Sequence, residues 1–205
     1  MTPEAVIFDI GNVLIEWQPE RYYDALLGVA ERRRMFEEVD IHAMMTRIDS
    51  GEVFADVVED TAAAHPHWRE MVLKIRWKWT DVAQPEIPGS VKLLRALKAR
   101  GVPVFALSNF GRENFPLSER QFPFLSEFDR RYISGEMKMA KPDAEIYAAV
   151  EADCGLEPGA LLFTDDRQDN IDAARARGWQ THLFDGPEGF AQVLVSHGLL
   201  DDAEV

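Results

Sequence analysis

The chain has 205 residues, 46% of them hydrophobic, and a formal net charge of −14 at pH 7. This length allows one sizeable core and a small second lobe, and the acidic surplus argues against nucleic acid or an anionic membrane as a partner. No apolar run approaches the ~20 residues of a membrane span, and the first residues lack a signal-peptide pattern. We therefore expect a soluble, cytoplasmic protein with no membrane partner.

Five short runs of apolar, β-branched and aromatic residues predict buried parallel strands. In chain order they are Ala5–Phe8, Val102–Leu107, Tyr132–Ser134, Ala160–Phe163 and Thr181–Phe184. Helical patterns lie between them: one capped by Ser90, one with Pro142 in its first turn, one after Asp169, and a last one ended by Gly198. Strands alternating with helices predict an α/β fold, a Rossmann-like doubly wound parallel sheet.

The stretch from about Gln18 to Gln84 is of a different kind, because it contains no convincing strand. Its apolar spacing predicts helices instead, namely Pro19–Leu27, Ala30–Ile48, Val53–Ala64 and Pro66–Trp79. Residues 82–89 have the composition of a return linker. The prediction is an α/β core of residues 1–16 and 86–205, with an inserted helical-bundle cap of residues 17–85.

Each strong strand ends in polar residues, and the ends of parallel strands meet at one edge of a doubly wound sheet. The residues expected to converge there are Asp9, Ser108, Asn109, Lys141, Asp165 and Asp166. Grouped carboxylates repel one another unless a cation lies among them. A magnesium site for phosphoryl transfer needs this combination of oxygen ligands, phosphate donors and a nucleophile.

Four segments in this order resemble the motifs of the haloacid dehalogenase superfamily of hydrolases. They are Phe8–Leu14, Leu107–Asn109, Lys141–Tyr147 and Phe163–Ile171. Within the superfamily they are most similar to a bacterial subgroup that includes an α-D-glucose-1-phosphate phosphatase. The resemblance implies a helical-cap phosphatase that uses Mg²⁺, hydrolyses a small phosphorylated metabolite such as a sugar phosphate, and forms an aspartyl-phosphate.

The resemblance also implies a role for each matching residue. Asp9 would attack phosphorus and bind Mg²⁺, and Lys141 would neutralise both Asp9 and the phosphate. Ser108 and Asn109 would hold phosphate oxygens. The other metal-site residues implied are the Gly11 carbonyl, Asp166 and, beside it, Asp165 as a supporting or alternative ligand; Asn170 would support a metal-bound water.

Gly11 departs from the family pattern, because most phosphatases of the superfamily carry a second aspartate at this position. That aspartate protonates the leaving oxygen and then activates water, and positioned acid–base help is worth about 10²–10⁴-fold. Its absence predicts a bias toward leaving groups that need little protonation, as in anomeric sugar phosphates. Glu16, or an acid of the cap such as Asp49, is a candidate substitute.

Two alternatives remain open at the level of sequence. A 2-haloacid dehalogenase would use the same aspartate without metal, although Asp165 and Asp166 would repel the carboxylate of its substrate. A phosphate-ligand binding protein with little turnover would retain Asp9, Lys141 and Asp166 without the missing acid. Halide release without Mg²⁺, or binding without turnover, would identify these alternatives.

Substrate choice is expected to depend on the cap, because the strand-end residues contact only the phosphate. The candidate contacts from the cap are Trp17, Arg47 and Asp49, with His42 and Met44 close by.

Overall fold

The structure is a computed structural model that describes residues 2–205, and its centre is a parallel sheet of five strands. The strands of this sheet are β1 (Ala5–Phe8), β4 (Val104–Ser108), β5 (Arg130–Ile133), β6 (Leu161–Asp165) and β7 (Gln180–Leu183). Their spatial order is β5-β4-β1-β6-β7. The first strand is therefore central, and the winding reverses around it, which confirms the predicted fold class.

The register of the sheet explains why β1 is apolar throughout. Ile7 pairs with Phe105 of β4 on one side and with Phe163 of β6 on the other. Both faces of β1 are buried, so its four side chains have no exposure to water. The predicted strand positions are correct, although β4 begins at Val104 and β5 ends before Ser134.

Helices cover both faces of this sheet. They are α7 (Pro88–Ala99), α8 (Phe115–Gln121), α9 (Ser134–Met137), α10 (Ala144–Cys154), α11 (Gln168–Ala176) and α12 (Pro187–Ser196). Three predicted helix starts are wrong. Asp169 lies inside α11, which begins at Gln168. Ser90 lies inside α7, which begins at Pro88. Pro142 precedes α10, because Asp143 has an extended backbone and occupies the N-cap position.

A second group of helices lies along the chain between β1 and β4, the first two strands of the sheet. They are α1 (Pro19–Leu27), α2 (Val29–Glu38), α3 (Ile41–Asp49), α4 (Phe54–Ala64), α5 (Arg69–Trp77) and α6 (Trp79–Val82). The single helix predicted over Ala30–Ile48 is two helices. The chain breaks at Val39, and the Asp40 side chain caps α3 by accepting from the Ala43 N–H (2.8 Å).

A two-stranded antiparallel ribbon connects these helices to the sheet. It pairs β2 (Ile15–Trp17) with β3 (Ala83–Glu86). The predicted boundary between residues 16 and 17 falls inside β2, and the predicted linker contains β3. Neither strand was foreseen, since three or four residues are too few to show a period and their partners lie far apart in sequence.

The hydrophobic residues form two clusters, one on each side of the sheet. Val6 and Phe8 face the side that continues into the inserted helices, whereas Ile7, Phe105 and Phe163 face α10 and α11. This packing fixes the sheet as a platform, and the residues that follow β1, β4 and β6 emerge together at its carboxyl edge. Among residues 2–205, no helix has the length and apolar character needed to cross a membrane.

Candidate active site

Asp9 follows directly after β1, at the centre of the carboxyl edge of the sheet. Its own N–H donates to the Thr164 carbonyl (2.9 Å), and the Ile10 N–H donates to its Oδ1 (2.7 Å). The residue is only 6% exposed. Burial raises the pKa of Asp9 from 3.8 to about 7, with Lys141 opposing the rise and Asp165 adding to it. The carboxyl group is thus held in place by backbone contacts and is costly to ionise without a further cation.

Lys141 forms an ion pair with Asp9, and its side chain is buried. Each N–H of its ammonium group therefore needs an acceptor. Its Nζ lies 3.0 Å from Asp9 Oδ1 and 2.6 Å from Asp165 Oδ2, and it donates to the Leu107 carbonyl (2.9 Å). Burial lowers the pKa of Lys141, but Asp165 and Asp9 raise it by more, so the pKa stays above its usual value. An ammonium has three N–H groups, and all three are directed at protein oxygens.

Asp165 is a support for Lys141 rather than a group that faces open space. Its Oδ1 accepts from the Arg167 N–H (2.8 Å), and its Oδ2 accepts from Lys141. The Asn170 Nδ2 donates to both oxygens at 3.0 Å. Because both oxygens are occupied, Asp165 fixes the position of the ammonium, and Asn170 in turn fixes Asp165.

Asp166 points the other way, toward the turn that follows β1. The Asn12 Nδ2 donates to its Oδ2 (3.0 Å), and burial raises the pKa of Asp166 while this hydrogen bond opposes the rise. Ligand atoms of Asp9, Asp165 and Asp166 all lie within 4.8 Å of one another. Three carboxylates thus lie close together, and the Lys141 ammonium pairs with two of them, Asp9 and Asp165. A metal cation would offset the remaining negative charge.

Ser108 and Asn109 end β4 beside Asp9, as predicted from the strand ends. Ser108 is buried and its hydroxyl hydrogen-bonds to Asp9. The Asn109 side chain is committed to the loop of Lys141: its Nδ2 donates to the Lys141 carbonyl (2.8 Å), and its Oδ1 accepts from the Lys141 N–H (2.8 Å). The side chain of Asn109 therefore positions Lys141.

A cavity of about 600 Å³ opens onto these residues and extends between the sheet and the inserted helices. Asp9, Gly11, Ser108, Lys141 and Asp166 line its floor. Trp17 and Trp79 stack on each other with centroids 5.2 Å apart and form an aromatic wall with Phe110. The remaining lining is largely polar and includes Glu16, Gln18, Glu20, His42 and Thr46.

The three residues predicted as cap contacts behave differently. Trp17 and Asp49 line the cavity. Burial raises the pKa of Asp49 from 3.8 to about 7, Asp9 adds to the rise, and Lys141 opposes it. The structure does not bring Arg47 to this cavity: its guanidinium donates to Glu52 (2.6 and 2.9 Å) on the exposed outer side of α3. Arg47 was predicted as a contact because its segment was expected to face the core, but Glu52 pairs with its charge away from the cavity.

Three residues outside the predicted set of site residues help to build the site. Asn12 has a left-handed backbone (φ 53°), and besides Asp166 it holds the Trp17 N–H (3.0 Å), so it joins the metal side of the site to the aromatic wall. Trp79 supplies that wall, and the Ser134 hydroxyl donates to the Asp49 carbonyl (2.6 Å). Asn12 had a visible signal, since asparagine tolerates the left-handed backbone of tight turns.

Comparison with known proteins agrees with this geometry. A sequence model described as "Hydrolase: haloacid dehalogenase-like hydrolase" matches residues 3–178. The chain belongs to the haloacid dehalogenase-like hydrolase family. The match begins before β1 and ends after α11, so it contains every strand-end residue described above.

Among curated family relatives, the sesquiterpene phosphatase astK of Aspergillus oryzae is 27% identical and covers 90% of this chain and 91% of its own length. A phosphorylated carbohydrates phosphatase of Thermotoga maritima is 23% identical and covers 85% of this chain and 82% of its own length. The drimenol cyclase drtB of Aspergillus calidoustus is 24% identical, but the chain spans only 34% of that protein.

Solved structures show the same family fold. The HAD-family enzyme BT-2542 of Bacteroides thetaiotaomicron, in complex with magnesium and inorganic phosphate, is 25% identical with a TM-score of 0.71 and covers 93% of this chain and 98% of its own. The L-2-haloacid dehalogenase of Xanthobacter autotrophicus is 18% identical with a TM-score of 0.62 and covers 97% of this chain and 84% of its own. The second likeness is one of fold alone.

Proposed function

We propose that the protein is a Mg²⁺-dependent phosphatase that hydrolyses a small phosphomonoester through an aspartyl-phosphate on Asp9. The observation that carries the proposal is the floor of the cavity. A buried nucleophilic carboxyl group lies there with a buried ammonium and two further acids, under a cavity large enough for a metabolite. The similarity to BT-2542, whose structure holds magnesium and inorganic phosphate, supports it.

The residues present fit a hard divalent cation, because all the candidate ligands are oxygens. Asp9, Asp166 and the Gly11 carbonyl would hold the ion. Asp165 would contribute by holding Lys141 in position. When bound, Mg²⁺ would offset the charge of the phosphate and of the transition state.

The residues of the chain itself would carry the reaction as follows. A carboxylate oxygen of Asp9 attacks phosphorus, and the bond from phosphorus to the leaving oxygen breaks. The Ser108 hydroxyl and the Asn109 main-chain N–H donate to phosphate oxygens. Lys141 favours the ionised form of Asp9 and orients it, because the position of Lys141 is fixed by Asp165 and Asn109. Water then attacks phosphorus and releases Asp9.

The finer proposal is that the substrate is a sugar-like phosphate. Glu16, Gln18, Glu20 and Thr46 offer hydrogen-bonding groups for hydroxyls around the mouth of the cavity, and the aromatic wall offers a flat surface for a ring. The carbohydrate-phosphate specificity in the name of the Thermotoga relative points the same way. The same wall would also contact an isoprenoid chain, and astK is named for a sesquiterpene substrate, so prenyl phosphate is the competing substrate.

The test is a panel of phosphate esters assayed with Mg²⁺ and with EDTA, comparing the wild type with Asp9→Asn. The panel contains sugar 1-phosphates, sugar 6-phosphates and farnesyl monophosphate. We expect Mg²⁺-dependent release of phosphate from sugar phosphates and a loss of more than about 10³-fold in Asp9→Asn, as for other nucleophile removals. The matched control is Asp56→Asn, the same change at an exposed cap residue outside the cavity.

Several outcomes would contradict this function. Equal rates for the wild type and Asp9→Asn would remove Asp9 from the mechanism. Halide release from 2-chloropropionate without Mg²⁺ would identify a dehalogenase, although Asp49 and Asp166 in the cavity disfavour a carboxylate substrate. Tight binding of a sugar phosphate with no turnover would identify a binding protein, and a preference for farnesyl monophosphate would overturn the sugar assignment alone.

A further inference from the structure

We propose that Asp49, the last residue of α3, gives a proton to the leaving oxygen and later takes one from the attacking water. This role rests on the phosphatase function proposed above. It assigns to a residue of the inserted helices the acid–base work for which the turn after β1 has no side chain at Gly11.

The position of Asp49 relative to Asp9 is the first argument. Phosphoryl transfer is in line, so the leaving oxygen lies on the side of phosphorus away from the attacking carboxylate. Asp9 lies on the floor of the cavity at the end of β1, whereas Asp49 reaches the same cavity from the helices that face the sheet. A phosphate bound at Asp9 would therefore share its cavity with a second carboxyl group that comes from a different element of the fold.

The second argument is that the other acids of the cavity are already committed. Asp166 accepts from the Asn12 Nδ2 (3.0 Å) and belongs to the candidate metal cluster. Glu16 forms an ion pair with Arg21, and Glu20 lies 3.3 Å from His42 Nε2. By contrast, the Asp49 carboxyl group makes no hydrogen bond or ion pair with any residue from 2 to 205, so it is free to exchange a proton with a substrate.

The third argument is that the backbone of Asp49 is fixed to the sheet. The Ser134 hydroxyl donates to the Asp49 carbonyl (2.6 Å) and accepts from the Phe110 N–H (2.9 Å), which joins the end of α3 to the ends of β4 and β5. Next to Ser134, a Cβ on Gly135 would lie 2.6 Å from the Arg112 nitrogen, so glycine is required where this segment approaches the loop after β4. Anchored backbones hold catalytic groups to the accuracy that proton transfer needs.

The proton balance closes over the two steps. As Asp9 attacks phosphorus and the ester bond breaks, protonated Asp49 gives its proton to the leaving oxygen, which departs as an alcohol. The Asp49 carboxylate then takes a proton from water as the water oxygen attacks the aspartyl-phosphate, and Asp9 leaves as a carboxylate. A carboxyl group whose pKa is raised to about 7 serves in both directions near neutral pH.

The test compares leaving groups. The value of kcat/KM depends only on the steps up to the departure of the leaving group. The 4-nitrophenolate ion departs without a proton, whereas the alkoxide of a sugar 6-phosphate needs one. In full-length protein with Mg²⁺, we expect Asp49→Asn to lower kcat/KM by about 10²–10⁴-fold for the sugar 6-phosphate and by less than about tenfold for 4-nitrophenyl phosphate. The control Asp56→Asn should leave both values unchanged.

A second variant separates chemistry from structural damage. A Cβ at Gly11 meets only the Trp17 Cβ, at an ordinary 3.9 Å, and Gly11 lines the cavity, so the backbone there accepts a side chain. Adding Gly11→Asp to Asp49→Asn should restore much of the lost activity toward the sugar 6-phosphate, because it supplies a carboxyl group from the other side of the same cavity. A purely structural role for Asp49 would not be rescued in this way.

The outcomes divide cleanly. Equal losses on both substrates in Asp49→Asn, or a selective loss in Glu16→Gln instead, would overturn the role of Asp49 while leaving the phosphatase function intact. No Mg²⁺-dependent turnover of either substrate by the wild type would overturn the phosphatase function itself. Asp49→Asn should fold, since it removes a carboxyl group that has no partner in the fold, and urea unfolding checks this directly.

Discussion

Replacing Lys141 by methionine is expected to destabilise the protein strongly, because it leaves two buried carboxylates without their cation. The Lys141 side chain is 1% exposed and lies 3.0 Å from Asp9 and 2.6 Å from Asp165, whose side chains are 9% and 0% exposed. At an effective dielectric constant of about 20, each attraction is worth about 5–6 kcal/mol. Desolvation of the ammonium offsets part of this, so the expected loss is about 3–5 kcal/mol.

The loss of unfolding free energy in Lys141→Met should also depend on pH, because the two carboxyl groups change their protonation. A buried carboxylate without its cation relieves the cost by taking up a proton, which is easier at low pH. The destabilisation of Lys141→Met should therefore be larger at pH 8 than at pH 5. Urea unfolding followed by tryptophan fluorescence, in EDTA to exclude metal, measures it.

Two variants make the measurement specific. Lys92→Met changes an exposed lysine of α7 and should alter the free energy of unfolding by less than about 0.5 kcal/mol. Combining Lys141→Met with Asp165→Asn should recover part of the loss, since removing both partners of a buried pair costs less than removing one. A loss below about 1 kcal/mol at pH 8, or one independent of pH, would refute this account of the site.

Two other predictions concern the metal and the loop of Lys141. The pKa of Asp9 in the fold, about 7, lies above its unfolded value of 3.8, so the stability that Asp9 contributes at low pH is lost as pH rises toward 7. Mg²⁺ binds the ionised form of Asp9, so the affinity of the protein for Mg²⁺ should be about 100-fold lower at pH 5 than at pH 8. Titrations with Mg²⁺ followed by thermal shift would measure this difference. The same difference in Asp9→Asn would contradict the prediction. Asn109→Ala removes two hydrogen bonds to the Lys141 backbone and should lower the free energy of unfolding by about 1–3 kcal/mol. The same change should lower kcat more than it raises KM. A change in KM alone would place Asn109 in substrate binding.

Some of the site follows from the sequence because strand ends share an edge. Once β1, β4 and β6 are identified as parallel strands, the residues after them must meet, whatever the details of packing. Asp9, Ser108 and Asp166 were found in this way. Arg47 was not placed correctly because its distance from the cavity depends on which face of α3 is turned inward, and Glu52 is near enough to satisfy its charge.

The sequence by itself determined the alternation of strands and helices along the chain, the presence of a helical insertion, and the residue types at the carboxyl edge. These depend on local periodicity and on the rule that parallel strands end together. Only the tertiary structure decided how those residues divide the work. Asp165 and Asn109 hold Lys141 in place, and these contacts join residues that are 24 and 32 positions apart in the chain. Asp49 reached the cavity through Ser134, 85 residues along the chain. Contacts at such separations depend on how the helices pack on the sheet, which no local pattern specifies.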